Sequence, residues 1–224
     1  MKKFLGVLLS LGICLLGASF AGAETFDSNS GVIAGDWNYW PWGDADNLRY
    51  QLWFSDSMLG DFNGTISSIT HFISTQGNVG AAYTMKIYAS TTPVAGGGLS
   101  AYDLDGNHGA NKTLIYDATY VRPADYAFTI DVDNVFNYSG SGNLLLDYVF
   151  LDTTGVGHSY DGPTMQAVDA NSDFYRVTSH ALEGNVVYDW GAIRTQINAV
   201  PEPASMLMLA GGLLGIAGFR RRKN

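Results

Sequence analysis

Between Glu24 and Val200 the apolar residues recur at a period of two over short runs, and no helical apolar period is sustained. Leu48–Phe54 alternates at its start and reads as a strand. Thr65–Ile73 reads as another, with Ile66 on one face and Ile69, His71 and Ile73 on the other, so a bulge or crossover is expected within it. Tyr83–Ala89 alternates cleanly, Tyr83, Met85, Ile87 and Ala89 sharing a face. Pro93 and Gly96-Gly97-Gly98 open a long loop that runs to about Asn111. Thr113–Tyr120 and Tyr126–Val132 follow as strands, then a loop over Asn134–Gly142. Asn143–Leu151 has the apolar continuity of a central strand covered on both faces. Gly155–Gly162 reads as loop, Asp173–Val177 as a short strand, and Val186–Ile197 as the closing segment. Roughly eight to ten short strands with turns between them predict an all-β domain, an antiparallel β-sandwich of jelly-roll type.

Two apolar runs fall outside this pattern, one near each end. Phe4–Leu16 follows Lys2 and Lys3 and precedes Ala21-Gly22-Ala23, an A-x-A site before Glu24. This predicts a signal peptide over 1–23, exported through the Sec translocon and cut by signal peptidase at Ala21, Ala23 and Glu24. Ile13 stands before Cys14 where a lipid-attachment signal needs a small residue, so a lipoprotein is not expected.

At the other end, residues 200–224 combine Pro201-Glu202-Pro203, an apolar run over 204–219 and the basic cluster Arg220, Arg221, Arg222 and Lys223. Sixteen residues of helix rise about 24 Å, short of the ~30 Å hydrocarbon core, so 204–219 predicts a minimal transmembrane helix. Positive-inside logic places the basic tail 220–223 in the cytoplasm as a stop signal and the prolines outside. Two prolines around one residue hold a segment extended, a form that a protease can read.

These three parts in this order resemble the PEP-CTERM sorting signal of proteins exported by Gram-negative bacteria. The resemblance implies transient insertion in the inner membrane and removal of the tail by exosortase, a transpeptidase-like membrane enzyme, with Pro201, Glu202 and Pro203 as the processing motif. IYASTTP and DNVFNYSGSGNLLLDYVF are similar to stretches in a common set of PEP-CTERM proteins, for which no activity carries over.

Removing both ends leaves a 24–199 β-sandwich domain without cysteine, since Cys14 is the single one. Residues 24–200 hold 20 acidic and 6 basic residues, a net charge of −14 that the whole-chain value of −9 hides. Such a body repels nucleic acid and anionic membrane surfaces. Asp103, Asp105 and Asn107 form a candidate calcium cluster, because hard cations want several oxygens within one turn. The sixth and twelfth positions from Asp103 hold His108 and Leu114, so it is no EF-hand, and the alternative is a solvated turn. Trp37, Tyr39, Trp40 and Trp42 form a candidate sugar-binding patch, with Asp36, Asp44 and Asp46 near enough in sequence to accept hydroxyls. Core packing is its rival.

No H-x-x-x-H, HExxH or G-x-S-x-G spacing occurs, and the body has no thiol for zinc or nucleophilic catalysis. The expectation is therefore a non-enzymatic exported protein at the cell surface or in the extracellular matrix, with a structural or adhesive role linked to exopolysaccharide. A carbohydrate- or calcium-binding module is the alternative, and a secreted hydrolase the last. No cofactor is expected beyond structural calcium.

Overall fold

A computed structural model describes residues 23–29, 33–38, 41–42, 48–154, 163–168, 174–180, 186–188 and 192–200. The expected signal helix and the expected transmembrane helix lie outside these residues, and among the described residues no helix is long and apolar enough to cross a membrane. Residues 24–199 form a compact unit of their own.

That unit is nearly all β. Its strands are β1 (Glu24–Asp27), β2 (Ile33–Asn38), β3 (Leu48–Phe54), β4 (Gly64–Thr75), β5 (Ala82–Thr92), β6 (Thr113–Val121) and β7 (Ala127–Asp131). They continue with β8 (Asn137–Tyr138), β9 (Asn143–Thr154), β10 (Thr164–Val168), β11 (Phe174–His180), β12 (Val186–Tyr188), β13 (Ala192–Ile193) and β14 (Thr195–Val200). The single turn of helix α1 (Asp56–Leu59) starts where Ser55 Oγ accepts from the Met58 backbone N–H at 3.0 Å, and it stops at Gly60, whose φ of 58° suits glycine.

The strands form two antiparallel sheets. One runs β12-β11-β3-β9-β5-β6. In the other the path is β1-β14-β4-β10-β13, with β7 and β8 on β4 and β2 on β10. Both sheets contribute to one hydrophobic core: Tyr50, Leu52, Tyr83, Met85, Leu146 and Phe150 from the first, Ile69, Ile73, Phe128, Met165, Ile193 and Ile197 from the second. Phe26 of β1 meets Phe54 of β3 edge to face at 5.5 Å, a contact between the two sheets.

The expected face of β5 is the buried one, with Tyr83, Met85, Ile87 and Ala89 all in the core. In β4 the buried positions change phase across Ser67–Ser68, where its partner changes from β8 to β7. Asn143–Leu151 sits between β3 and β5 and is buried on both faces for most of its length. Four strands went unanticipated. β1 and β8 are too short to show alternation, and the short sequences of β2 and β10, IAGDWN and TMQAV, show no clean period of two. Val186–Ile197, expected as one segment, divides into β12, β13 and the start of β14.

Candidate functional site

The second covering of β9 comes from the loop between β5 and β6. Trp53 and Leu145 point away from the main core and pack with Leu99, Ala101 and Leu104 of that loop in a small second cluster. The loop is also fastened by polar side chains of the strands beneath it. Trp53 Nε1 donates to the Val94 carbonyl at 2.9 Å, and Gln51 Nε2 to the Leu104 carbonyl at 2.8 Å. Its return is seated where Gly109 crosses β5, since a Cβ there would lie 1.9 Å from the Thr91 carbonyl oxygen.

Beneath the loop is a buried charge cluster centred on Asp147 of β9, which has no exposed surface. Arg49 of β3 clamps its carboxylate with Nε, at 3.0 and 3.1 Å, and with Nη2. His108 of the loop reaches it through Nε2 at 2.7 Å, while the other ring nitrogen lies 2.9 Å from Ser90 Oγ of β5. Arg49 also reaches out to Asp105 at 2.8 Å, which Lys112 meets at the same distance. Burial alone would push the Asp147 carboxyl up, but the hydrogen bonds from His108 and Arg49 outweigh it and hold it below the usual carboxylate range. The paired acids in turn raise the Arg49 guanidinium against its own burial.

Ser90, His108 and Asp147 thus stand in the order of a hydrolytic triad. The seryl oxygen, however, is wholly buried under the loop, and Asp147 is shared with a bidentate arginine. The chemistry this supports is fastening: three strands and one loop are tied through a single carboxylate. Alternation and motif spacing did not find this cluster. Its one sequence signal is Asp147 itself, an acid inside the apolar run Leu144–Leu151.

The candidate calcium residues belong to the same fastening. Asn107, 1% exposed, accepts from the Ser100 backbone N–H at 2.7 Å and donates to Gln51 Oε1 and the Ser100 carbonyl. Asp105 is bound by two cations, and Asp103 Oδ1 accepts from the Gly106 N–H at 2.9 Å, closing a turn. Each of the three therefore has one side-chain oxygen engaged by an internal donor. Among the described residues no group of three or more His, Cys, Asp or Glu is placed to hold a metal.

Of the four candidate sugar-binding residues, Trp42 follows the core-packing alternative. It is fully buried at the centre of the aromatic core, edge to face with Tyr83, Phe128 and Phe150 at 5.1, 4.6 and 5.2 Å. A ring so enclosed offers no face to a sugar. Trp37 lies on β2, and Tyr39 and Trp40 lie outside the described residues.

Of the expected processing residues, Ala23 is exposed and Glu24 begins β1, its carboxylate accepting from the Asn63 N–H at 2.7 Å. Ala21, Pro201, Glu202, Pro203, Arg220, Arg221, Arg222 and Lys223 lie outside the described residues. β1 pairs antiparallel with β14, Glu24 opposite Ala199 and Thr25 opposite Asn198, so the chain enters and leaves this unit on neighbouring strands.

Comparison with known proteins bears on this end of the chain. No curated protein matches the chain. Residues 199–223 match the family model of the PEP-CTERM protein-sorting motif. The chain carries that sorting motif, which supports an exported protein held transiently in the membrane and processed by exosortase.

Proposed function

We propose that the body is a non-enzymatic structural or adhesive component of the cell surface or extracellular matrix, linked to exopolysaccharide and delivered there by its sorting motif. The motif is the observation that carries this reading. We further propose signal-peptide removal before Glu24, a 24–199 domain of jelly-roll type, and release of 204–223 as a membrane-spanning tail. The net charge of −14 over 24–200 suits a solvated extracellular surface. A body without cysteine that fastens its longest loop through buried charges suits a place where no thiol chemistry is needed for stability.

A shallow pocket of about 320 Å³ beside β1 and α1 holds Glu24, Asp27 and Asp61, but Asp27 is paired with Arg194 at 2.6 Å and Glu24 is bound by Asn63. The test is fractionation of the native host while it makes exopolysaccharide. Mature protein is expected in the matrix fraction, and deletion is expected to weaken cell attachment. Protein confined to the periplasm, with attachment unchanged by deletion, would overturn the reading.

Calcium separates the structural reading from the alternative of a calcium-binding module. With Asp103, Asp105 and Asn107 engaged internally, millimolar calcium is expected to leave the melting temperature of residues 24–200 unchanged, and chelator likewise. A rise of several degrees that disappears in an Asp103→Ala, Asp105→Ala variant would restore the module.

A further inference from the structure

The sorting motif overlaps a strand. Its match begins at Ala199, while β14 runs from Thr195 to Val200, so Pro201 follows the strand with no linker between. Only Pro201-Glu202-Pro203 separates that strand from the apolar stretch beginning at Ala204. An enzyme that cuts at these prolines and holds its substrate extended has to grip residues on the upstream side as well. Those residues are Asn198, Ala199 and Val200, and β14 lies between β1 and β4.

Asn198 is the most heavily tied of the three. Its Oδ1 accepts from Thr25 Oγ1 at 2.9 Å and from Gln196 Nε2 at 3.2 Å. Its Nδ2 donates to Ser68 Oγ at 3.0 Å, and its carbonyl accepts from Ser67 Oγ at 3.1 Å. One side chain therefore bridges β1 and β4 across β14. Ala199 is buried, and Val200 is half exposed where the strand runs out.

We propose that the end of β14 gates removal of the tail. Exosortase takes the chain when Asn198–Val200 have left the sheet, and Asn198 is the positioning residue that keeps them in it. The gate rests on reading the motif as an exosortase substrate. Folding of the body then competes with processing: a chain whose last strand is docked keeps its tail longer than one whose last strand is free.

The test uses the full chain in its native host, following tail loss by pulse-chase. Thr25→Cys with Asn198→Cys joins β1 to β14 by a disulfide, since antiparallel neighbours lie ~4.5–5.5 Å apart at Cα, within disulfide range. The bond forms only if the two strands pair, so it also reports folding. The oxidised double variant is expected to keep its tail, and a Gly-Ser spacer between Val200 and Pro201 to restore its removal. Asn198→Ala, which loses the bridge, is expected to shed the tail faster, on the order of tenfold. Tail loss from the oxidised double variant at the wild-type rate would overturn the gate, as would an unchanged rate in Asn198→Ala. A strain without exosortase tests the underlying reading separately: the wild type is expected to keep its tail there, and loss of the tail would overturn that reading and the gate with it.

Discussion

Asp147→Ala is expected to destabilise the body by about 3–5 kcal/mol, the loss seen when one partner of a buried ion pair is removed. The carboxylate is fully buried and accepts from Arg49 and His108 together. Without it, Arg49 keeps only its outward pairing with Asp105, and the His108 ring faces an empty buried site. The loop over the outer face of β3, β9 and β5 then loses its central fastening. Asp105→Ala is the matched control, because its side chain is 72% exposed and exposed pairs contribute roughly 0–1 kcal/mol. Urea unfolding of residues 24–200 measures both. Equal midpoint shifts for the two variants would show that the buried cluster is not what secures the loop.

Acid is expected to unfold the body well before its carboxylates are all protonated, and His71 is the reason. Complete burial lowers its pKa from 6.5 to about 3. In the fold its Nε2 lies 2.9 Å from the Tyr148 hydroxyl and its Nδ1 3.2 Å from Thr195 Oγ1. Between pH 6.5 and about 3 the unfolded chain binds a proton at this ring that the folded chain refuses. Stability is therefore whole above pH 6.5 and falls as pH is lowered, by about 1.4 kcal/mol per pH unit. Asp147 and Asp27, both held below the usual carboxylate range, add to the loss once pH nears their unfolded value of 3.8. His71→Gln is expected to be weaker at pH 7 through poorer packing, yet to show a flatter slope between pH 6.5 and 4.5. An unchanged slope in that variant would place the acid sensitivity elsewhere.

The sheets were legible where one face of a strand meets the core and the other does not. β5 shows this best, its alternation passing directly into burial. β9 was legible for the opposite reason, since a strand covered on both faces has no polar side to show. What covers it was not legible. The stretch after Pro93 has the glycine and aspartate of a solvated loop, and its apolar contacts come from Leu99, Ala101 and Leu104, whose spacings of two and three residues keep no period. The charge cluster was hidden similarly. Arg49, Ser90, His108 and Asp147 come from four separate stretches; strand register brings three of them together, and the return of the loop over β5 adds His108. The aromatic run ending at Trp42 shows the limit of composition: the same ring suits a sugar and a core, and the surrounding Tyr83, Phe128 and Phe150 decide between them.

The most direct test of the exported, processed protein is the intact mass of the chain recovered from outside the native host, with both terminal sequences read. A chain that begins at Glu24 and ends between Val200 and Pro203 is expected. A chain recovered there that still carries residues 204–223 would contradict it.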